Sequence, residues 1–240
     1  MLNLYCFILG TILGSFLNVV IYRVPRKKSI ISPRSHCPNC KNIIPFYRNI
    51  PLVSFIIQKG KCNNCKISIS LIYPLTEIII GLIFLIGIYN FKGAELISFI
   101  LASSLLYVVS VIDYKYFIIP LEISFFILLS LIPNIIFSIN PSFYFYGFIV
   151  GLGYLLFIYI ITWVITRKEP LGLGDLQLIC LLGLWLGPLK ILITIFLSAC
   201  IGILYWILLY LVKGHEKNRK LPLGTFLSFS AFIVYLIQLI

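Results

Sequence analysis

The chain has 240 residues, of which 61% are hydrophobic and only 11% charged, where soluble domains run at about 45–50% and roughly 25%. Its mean hydropathy of +1.08 leaves more apolar surface than a water-soluble globule can bury, and it excludes a disordered tail or a collagen-like fibre as well. Nineteen Lys and Arg against seven acids give a net charge of +12, which in a membrane protein follows first from topology, since basic residues are kept on the cytoplasmic side, and needs no nucleic-acid partner.

Apolar runs of about 20 residues suffice to cross a bilayer. The first covers 2–22 without a charge and is followed at once by Arg23, Arg26, Lys27 and Lys28. A secretory signal has its basic residues before the apolar run and a small-residue cleavage site after it, so this run is predicted to be an uncleaved helix with its N-terminus outside the cytoplasm. Residues 23–71 form a basic loop. Further spans are predicted at 72–89, 94–112, 117–139, 143–166, 191–212 and 223–240. The stretch 176–186 ends in Gly187-Pro188 and is too short to cross comfortably, so it is predicted as a short, partly embedded helix. The expected fold is an all-α polytopic membrane protein of about eight transmembrane helices, the sixth short. Its expected parts are a first helix (1–22), a cytoplasmic loop domain (23–71) and a seven-helix membrane domain (72–240). This threading places 23–71, 113–117, 167–175 and 213–222 in the cytoplasm with 17 of the 19 basic residues, leaving Lys92 and Lys190 outside. The asymmetry supports the orientation and predicts attraction to anionic lipids.

Within the loop, Cys37-Pro38-Asn39-Cys40 and Cys62-Asn63-Asn64-Cys65 are separated by 21 residues, one more than the range of about 15–20 for paired Cys-x-x-Cys zinc sites. Four thiolates fill the tetrahedral shell of Zn²⁺, so such a metal is structural rather than catalytic. Lys41, Lys61 and Lys66 flank the ligands and offset the net negative charge of the centre. Cys6, Cys180 and Cys200 fall in apolar spans as small hydrophobes, and His36 and His215 read as bystanders.

Aspartate occurs twice, at Asp113 and Asp175. The threading puts both at the cytoplasmic edge, one ending the third span and the other starting the sixth. Ionisable groups at membrane depth are costly and point to function. Asp175 closes Gly172-Leu173-Gly174-Asp175, whose glycines allow close backbone approach. Two adjacent carboxylates share one proton. The ionised member can take a proton from water while the protonated one holds the carbonyl under attack, which is aspartic peptide hydrolysis. Either residue alone would be equally explained as a helix cap or the partner of a loop lysine such as Lys115. A proton relay would space its acids through the membrane depth, and a zinc-loop scaffold would need neither aspartate.

Gly10, Gly14 and Asn18 share one face of the first helix, a small-residue contact for a neighbouring helix with Asn18 hydrogen-bonding across it. Glu77 and Glu122 open the second and fourth helices and Glu169 precedes Gly172. The helix macrodipole accounts for acids at helix starts, yet these three are also among the few anionic spots available to a cationic substrate segment, with Glu77 the first choice.

Taken in order, the motifs resemble those of the bacterial type IV prepilin peptidases over essentially the whole chain. Residues 14–25, Gly-Ser-Phe-Leu-Asn-Val-Val-Ile-Tyr-Arg-Val-Pro, match the family's opening motif. The cysteine loop matches its zinc loop, Tyr73-Pro74-Leu75-Thr76-Glu77 the start of its second helix, and Asp113 with Pro120 its first catalytic segment. Gly172-Leu173-Gly174-Asp175 matches its Gly-x-Gly-Asp signature, and Leu221-Pro222-Leu223-Gly224 the start of its last helix. Two positions depart: Gln177 stands where the family usually has Lys, and Leu121 where an acid or Asn commonly follows the proline. The resemblance implies a bifunctional enzyme of the bacterial inner membrane. It implies that Asp113 and Asp175 cleave a basic leader after a glycine, at the cytoplasmic face, from prepilins or pseudopilins. The new N-terminus is then expected to be methylated from S-adenosylmethionine, although no methyl-donor fingerprint is legible.

Overall fold

The computed structural model of the chain describes residues 2–167, 172–214 and 220–237. They form nine α-helices and no strands, only two isolated β-bridges. The chain divides into two compact units, Met1–Lys92 and Gly93–Ile240.

In the first unit, α1 (Leu2–Arg23) lies antiparallel to α3 (Ile72–Asn90), with the cysteine loop between them in sequence. Glycine makes this pairing possible. A Cβ on Gly10 would sit 2.8 Å from the Gly81 Cα, and one on Gly14 2.8 Å from the Glu77 Cα, so the two backbones touch where the small-residue face was expected. Asn18 Nδ2 donates to the Tyr73 carbonyl at 3.0 Å across the same seam, and Asn3 pairs with the Tyr89 hydroxyl at its far end. After α1 the chain turns through Pro25, and the buried Arg23 guanidinium fixes the turn by donating to the carbonyls of Ser29 (2.8 Å) and Pro33 (2.6 Å). One short helix, α2 (Val53–Ile57), lies inside the loop.

The second unit is built on α4 (Gly93–Tyr116), which packs against α5 (Leu121–Ile136) and α9 (Leu223–Ile237). Two long helices, α6 (Pro141–Thr166) and α8 (Pro188–Lys213), flank α7 (Leu173–Leu186), and each starts with proline at its first position. Phe99, Leu106, Ile112, Leu178, Leu182 and Leu227 form the buried core. At one end Tyr235 stacks on Trp185 at 4.4 Å and on Phe99 at 5.5 Å between ring centroids, tying α9 to α7 and α4.

All eight apolar helices expected from hydropathy are present. Five (α1, α3, α4, α6, α8) are long and apolar enough to cross a bilayer, and α5, α7 and α9 have 16, 14 and 15 residues. Half of the apolar stretch of α4 is buried inside the protein but only 11% of that of α6. Exposed residues such as Phe145, Ile149 and Phe157 make α6 a surface suited to lipid rather than water.

One boundary differs from the sequence expectation in a way that matters for the site. Residues 117–120 are not helical: Phe117 adopts a left-handed conformation (φ 57°) and its N–H caps α4 by donating to the Asp113 carbonyl at 2.9 Å. Pro120 lacks an N–H and disfavours helix in the residue before it, so α5 starts only at Leu121. Asp113 therefore stands within the last turn of α4.

Candidate active site and cysteine centre

Asp113 is carried by the last turn of α4 and Asp175 by the first turn of α7, where the Asp175 N–H donates to the Gly172 carbonyl at 3.1 Å. The segments that carry them share a contact at Ile119, which Gly174 meets from α7 and Gly224 from the start of α9 beside Asp113. Asp113 is buried, at 5% exposure, while Asp175 is partly exposed.

Ile119, in the bend between α4 and α5, is wedged between two glycines. A Cβ on Gly174 would come within 3.0 Å of the Ile119 Cβ, and one on Gly224 within 2.9 Å of its Cδ1. The second glycine of the Gly-x-Gly-Asp segment thus lets α7 close onto the chain just after Asp113. Gly224 lets the start of α9 close onto Asp113 itself, since its Cβ would lie 3.1 Å from Oδ2. Gly172 leaves space beside the other carboxylate, its Cβ position being 3.5 Å from Asp175 Oδ2.

Thr225 completes the surroundings of Asp113. Its N–H donates to Oδ2 at 2.8 Å, and its hydroxyl lies 3.2 Å from the same oxygen and 2.9 Å from the Ser110 carbonyl. Neither Thr225 nor Ile119 was singled out from the sequence. The nearest signal was the segment Leu221–Gly224, which marks the start of the helix but says nothing about the residue after it.

The three acids considered for a cationic segment fare differently. Glu77 is buried in the first unit, and its Oε2 accepts the Leu52 N–H at 2.8 Å, which pins the left-handed residue at the start of α2. Glu122 is exposed in the first turn of α5. Glu169 lies outside the described residues. At the departing position Gln177, Nε2 is buried without a hydrogen-bond partner among the described residues.

The four loop cysteines converge. All four Sγ atoms lie within 4.8 Å of one another, with Cys37 3.8 Å from Cys65 and Cys40 4.0 Å from Cys62. Sulfurs held about 2.3 Å from one tetrahedral ion would stand roughly 3.8 Å apart, so the donor set fits such an ion. The centre is a repeat with a period of 25 residues. Cys37 N–H bonds the Asn42 carbonyl (3.0 Å) as Cys62 N–H bonds that of Ile67 (2.8 Å). Lys41 N–H and Lys66 N–H return to the carbonyls of Cys37 and Cys62, both at 2.9 Å. Lys41 and Lys66 are both left-handed. The electrostatics follow the same repeat. The Ile67 N–H pulls the Cys65 thiol down to about 6, against some desolvation and with help from the Asn39 side chain. The Asn42 N–H, with the Asn64 side chain, lowers Cys40. Each knuckle supplies an asparagine to the other, and thiolates are the form that binds metal.

Comparison with known proteins identifies the family. The bacterial peptidase A24 N-terminal domain matches residues 8–91, and the type IV leader peptidase family matches residues 99–207. The chain is similar to the prepilin leader peptidase/N-methyltransferase of Bacillus subtilis (strain 168), 34% identical over 96% of this chain and 92% of that protein. It is similar to the enzyme of the same name from Myxococcus xanthus (strain DK1622), 34% identical over 90% of this chain but only 65% of that longer protein. A third relative, the type 4 prepilin-like proteins leader peptide-processing enzyme of Escherichia coli O78:H11, is 32% identical over 95% of this chain and 91% of its own length. No solved structure matches the chain significantly. Two adjoining family matches, together with relatives more than 30% identical over nearly their whole length, lead to one assignment: the chain belongs to the type IV leader peptidase family.

Proposed function

We propose that the protein is a membrane aspartic endopeptidase that removes the basic leader from type IV prepilins or pseudopilins at the cytoplasmic face of the inner membrane. The observation that supports it is the convergence of the Asp113 segment, at the last turn of α4, and the Asp175 segment, at the first turn of α7, on Ile119 in a chain of this family. One carboxylate is ionised and takes a proton from a water held between the two. The hydroxide attacks the carbonyl of the glycine that ends the leader, while the protonated partner donates a hydrogen bond to the developing oxyanion. Collapse of the tetrahedral intermediate breaks the peptide bond. The proton taken from water passes to the leaving nitrogen, giving a leader with a C-terminal carboxylate and a pilin with a free N-terminal amine. The test uses full-length protein in detergent micelles and a synthetic substrate whose Lys-rich leader ends in Gly before an apolar helix. Mass spectrometry should find a single cut after that Gly, and an intact substrate after prolonged incubation with folded enzyme would overturn the reading.

N-methylation of the new amine from S-adenosylmethionine is proposed on the names of the relatives alone. A cavity of about 430 Å³ in the first unit is lined by Ile12, Phe16, Arg23, Arg34 and their neighbours without a carboxylate, so no residue is assigned to the methyl donor and no step is derived through it.

The ion proposed for the cysteine centre is Zn²⁺, held by Cys37, Cys40, Cys62 and Cys65 as a clamp joining the two knuckles of the 23–71 loop. Purified protein should carry about one zinc per chain. Replacing Cys37 or Cys65 by Ser should release it and lower thermal stability, while leader cleavage falls without being abolished. Active, reduced protein free of zinc would disprove the assignment.

For the leader's basic residues, Glu122 is the accessible acid, whereas Glu77 would have to release the Leu52 N–H to serve, and Glu169 keeps its role as a proposal from the sequence. Glu122→Gln should raise KM for a Lys-rich leader by about two- to fivefold, the value of an exposed ion pair, and leave a neutral leader unaffected. Equal losses on both leaders would make Glu122 structural.

A further inference from the structure

We propose that Thr225 is a positioning residue for this reaction: it grips Asp113 by Oδ2 with both its N–H and its hydroxyl, and so leaves Oδ1 as the oxygen that faces the water and the Asp175 proton. The inference rests on the aspartyl reading above and adds a third residue to it.

The two oxygens of Asp113 are not equivalent. Oδ2 receives the Thr225 N–H at 2.8 Å and faces its hydroxyl at 3.2 Å, and the absent side chain of Gly224 leaves the backbone free to come this close. The Gly224 N–H also faces the Asp113 carboxylate. Thr225 is the third residue of α9, so its N–H belongs to the first turn, where it has no acceptor within the helix. Donation to Asp113 satisfies that N–H and anchors the carboxylate in one step.

The hydroxyl adds something the N–H cannot. Its single proton has two acceptors, Oδ2 and the Ser110 carbonyl at 2.9 Å, the latter one turn before Asp113 on α4. When Asp113 is ionised, the proton turns to Oδ2 in a charge-assisted bond. When Oδ1 carries the proton, Oδ2 is a neutral carbonyl oxygen that still accepts the Thr225 N–H, and the hydroxyl proton turns to the Ser110 carbonyl. A hydroxyl proton rotates freely between acceptors, so both protonation states of Asp113 are met without moving a heavy atom. In a reaction in which the carboxylate pair gains and loses a proton each cycle, the side chain keeps its orientation throughout. Valine has the shape of threonine without this capacity, and serine has the capacity without the extra methyl.

The experiment compares Thr225→Val and Thr225→Ser with wild type in full-length enzyme, using the Lys-rich leader substrate and reading kcat and KM separately. Thr225→Val should lower kcat by about tenfold, as expected for a lost hydrogen bond to a charged group, with KM within about twofold. Thr225→Ser should recover kcat to within about twofold of wild type. Wild-type kcat in Thr225→Val, or equal impairment of Val and Ser variants, overturns the proposal. If Thr225→Val fails to fold, Thr225→Ala against Thr225→Ser is judged by the same criterion. Asp113→Asn and Asp175→Asn run alongside. If they cleave normally, the aspartyl reading itself fails; if they are inactive while Thr225→Val is unimpaired, only the role of Thr225 falls.

Discussion

Asp113→Asn and Asp175→Asn should each leave a folded, membrane-inserted protein whose leader cleavage is slower by roughly 10³-fold or more, the range of a lost general acid or base acting as part of a unit. Folding should survive because the amide is isosteric and its oxygen can still accept the Thr225 N–H that now reaches Asp113 Oδ2. Chemistry should not, because an amide neither takes a proton from water nor gives one to an oxyanion. The double variant should be hardly worse than either single one, since once one carboxylate is lost the other has no partner to act with. For the wild type, cleavage plotted against pH should be bell-shaped. It is lost in acid when both members are protonated and in base when neither is, and the two limbs describe the pair rather than one residue. The measurement is the cleaved fraction of the Lys-rich substrate by mass spectrometry, with thermal melts as the control for folding. Cleavage at near wild-type rate by either Asn variant would end the aspartyl mechanism.

The second large effect should come from residues far from any chemistry. Gly147 on α6 and Gly183 on α7 face each other so closely that backbone meets backbone. A Cβ on Gly147 would collide with the Gly183 carbonyl oxygen and come within 2.6 Å of the Gly187 Cα. One on Gly183 would collide with the Gly147 carbonyl oxygen and lie 2.8 Å from its carbonyl carbon. Backbone atoms of two packed helices cannot swing aside as a side-chain end can, so even alanine must push α6 and α7 apart. Gly147→Ala and Gly183→Ala should each destabilise by about 3 kcal/mol, the upper part of the usual range for overpacking. The melting temperature should fall by about 5–10 °C. Gly153→Ala is the control: it lies on the same helix with nothing within 4 Å of its Cβ position, and its melting temperature should not fall. Since α7 carries Asp175, activity should be lost with the fold rather than ahead of it. Unchanged melting of Gly183→Ala would show that α6 and α7 do not pack this closely.

Much of this protein can be read from the chain because the bilayer constrains it so strongly. Every span must satisfy its own backbone, so helix number and approximate limits follow from apolar runs alone. The Gly10–Gly14–Asn18 face was legible for the same reason: within one helix, spacing by four fixes a shared side whatever the partner turns out to be. The cysteine loop was legible because a tetrahedral ion restricts the donor type and the local spacing. The 25-residue repeat was hidden, since around the cysteines few residue types recur, Asn39 with Asn64, Lys41 with Lys66 and Ile44 with Ile69, while the rest of the likeness lies in backbone hydrogen bonds.

What the sequence determined by itself is thus the local and periodic part: an all-helical membrane protein, a four-cysteine loop, and two lone aspartates with a glycine signature before one of them. Tertiary structure alone decided which of the remaining residues meet them. Thr225 stands 112 residues from Asp113 and touches it, Ile119 bridges Gly174 and Gly224, and Glu77 turns inward to hold Leu52 rather than outward as an open acid. Gly147 and Gly183 lie in apolar stretches that look like any others until the helices that carry them are packed. Spacing along one helix specifies a face, but the atoms that face meets depend on crossing geometry between helices distant in the chain, and no periodicity of the sequence encodes that.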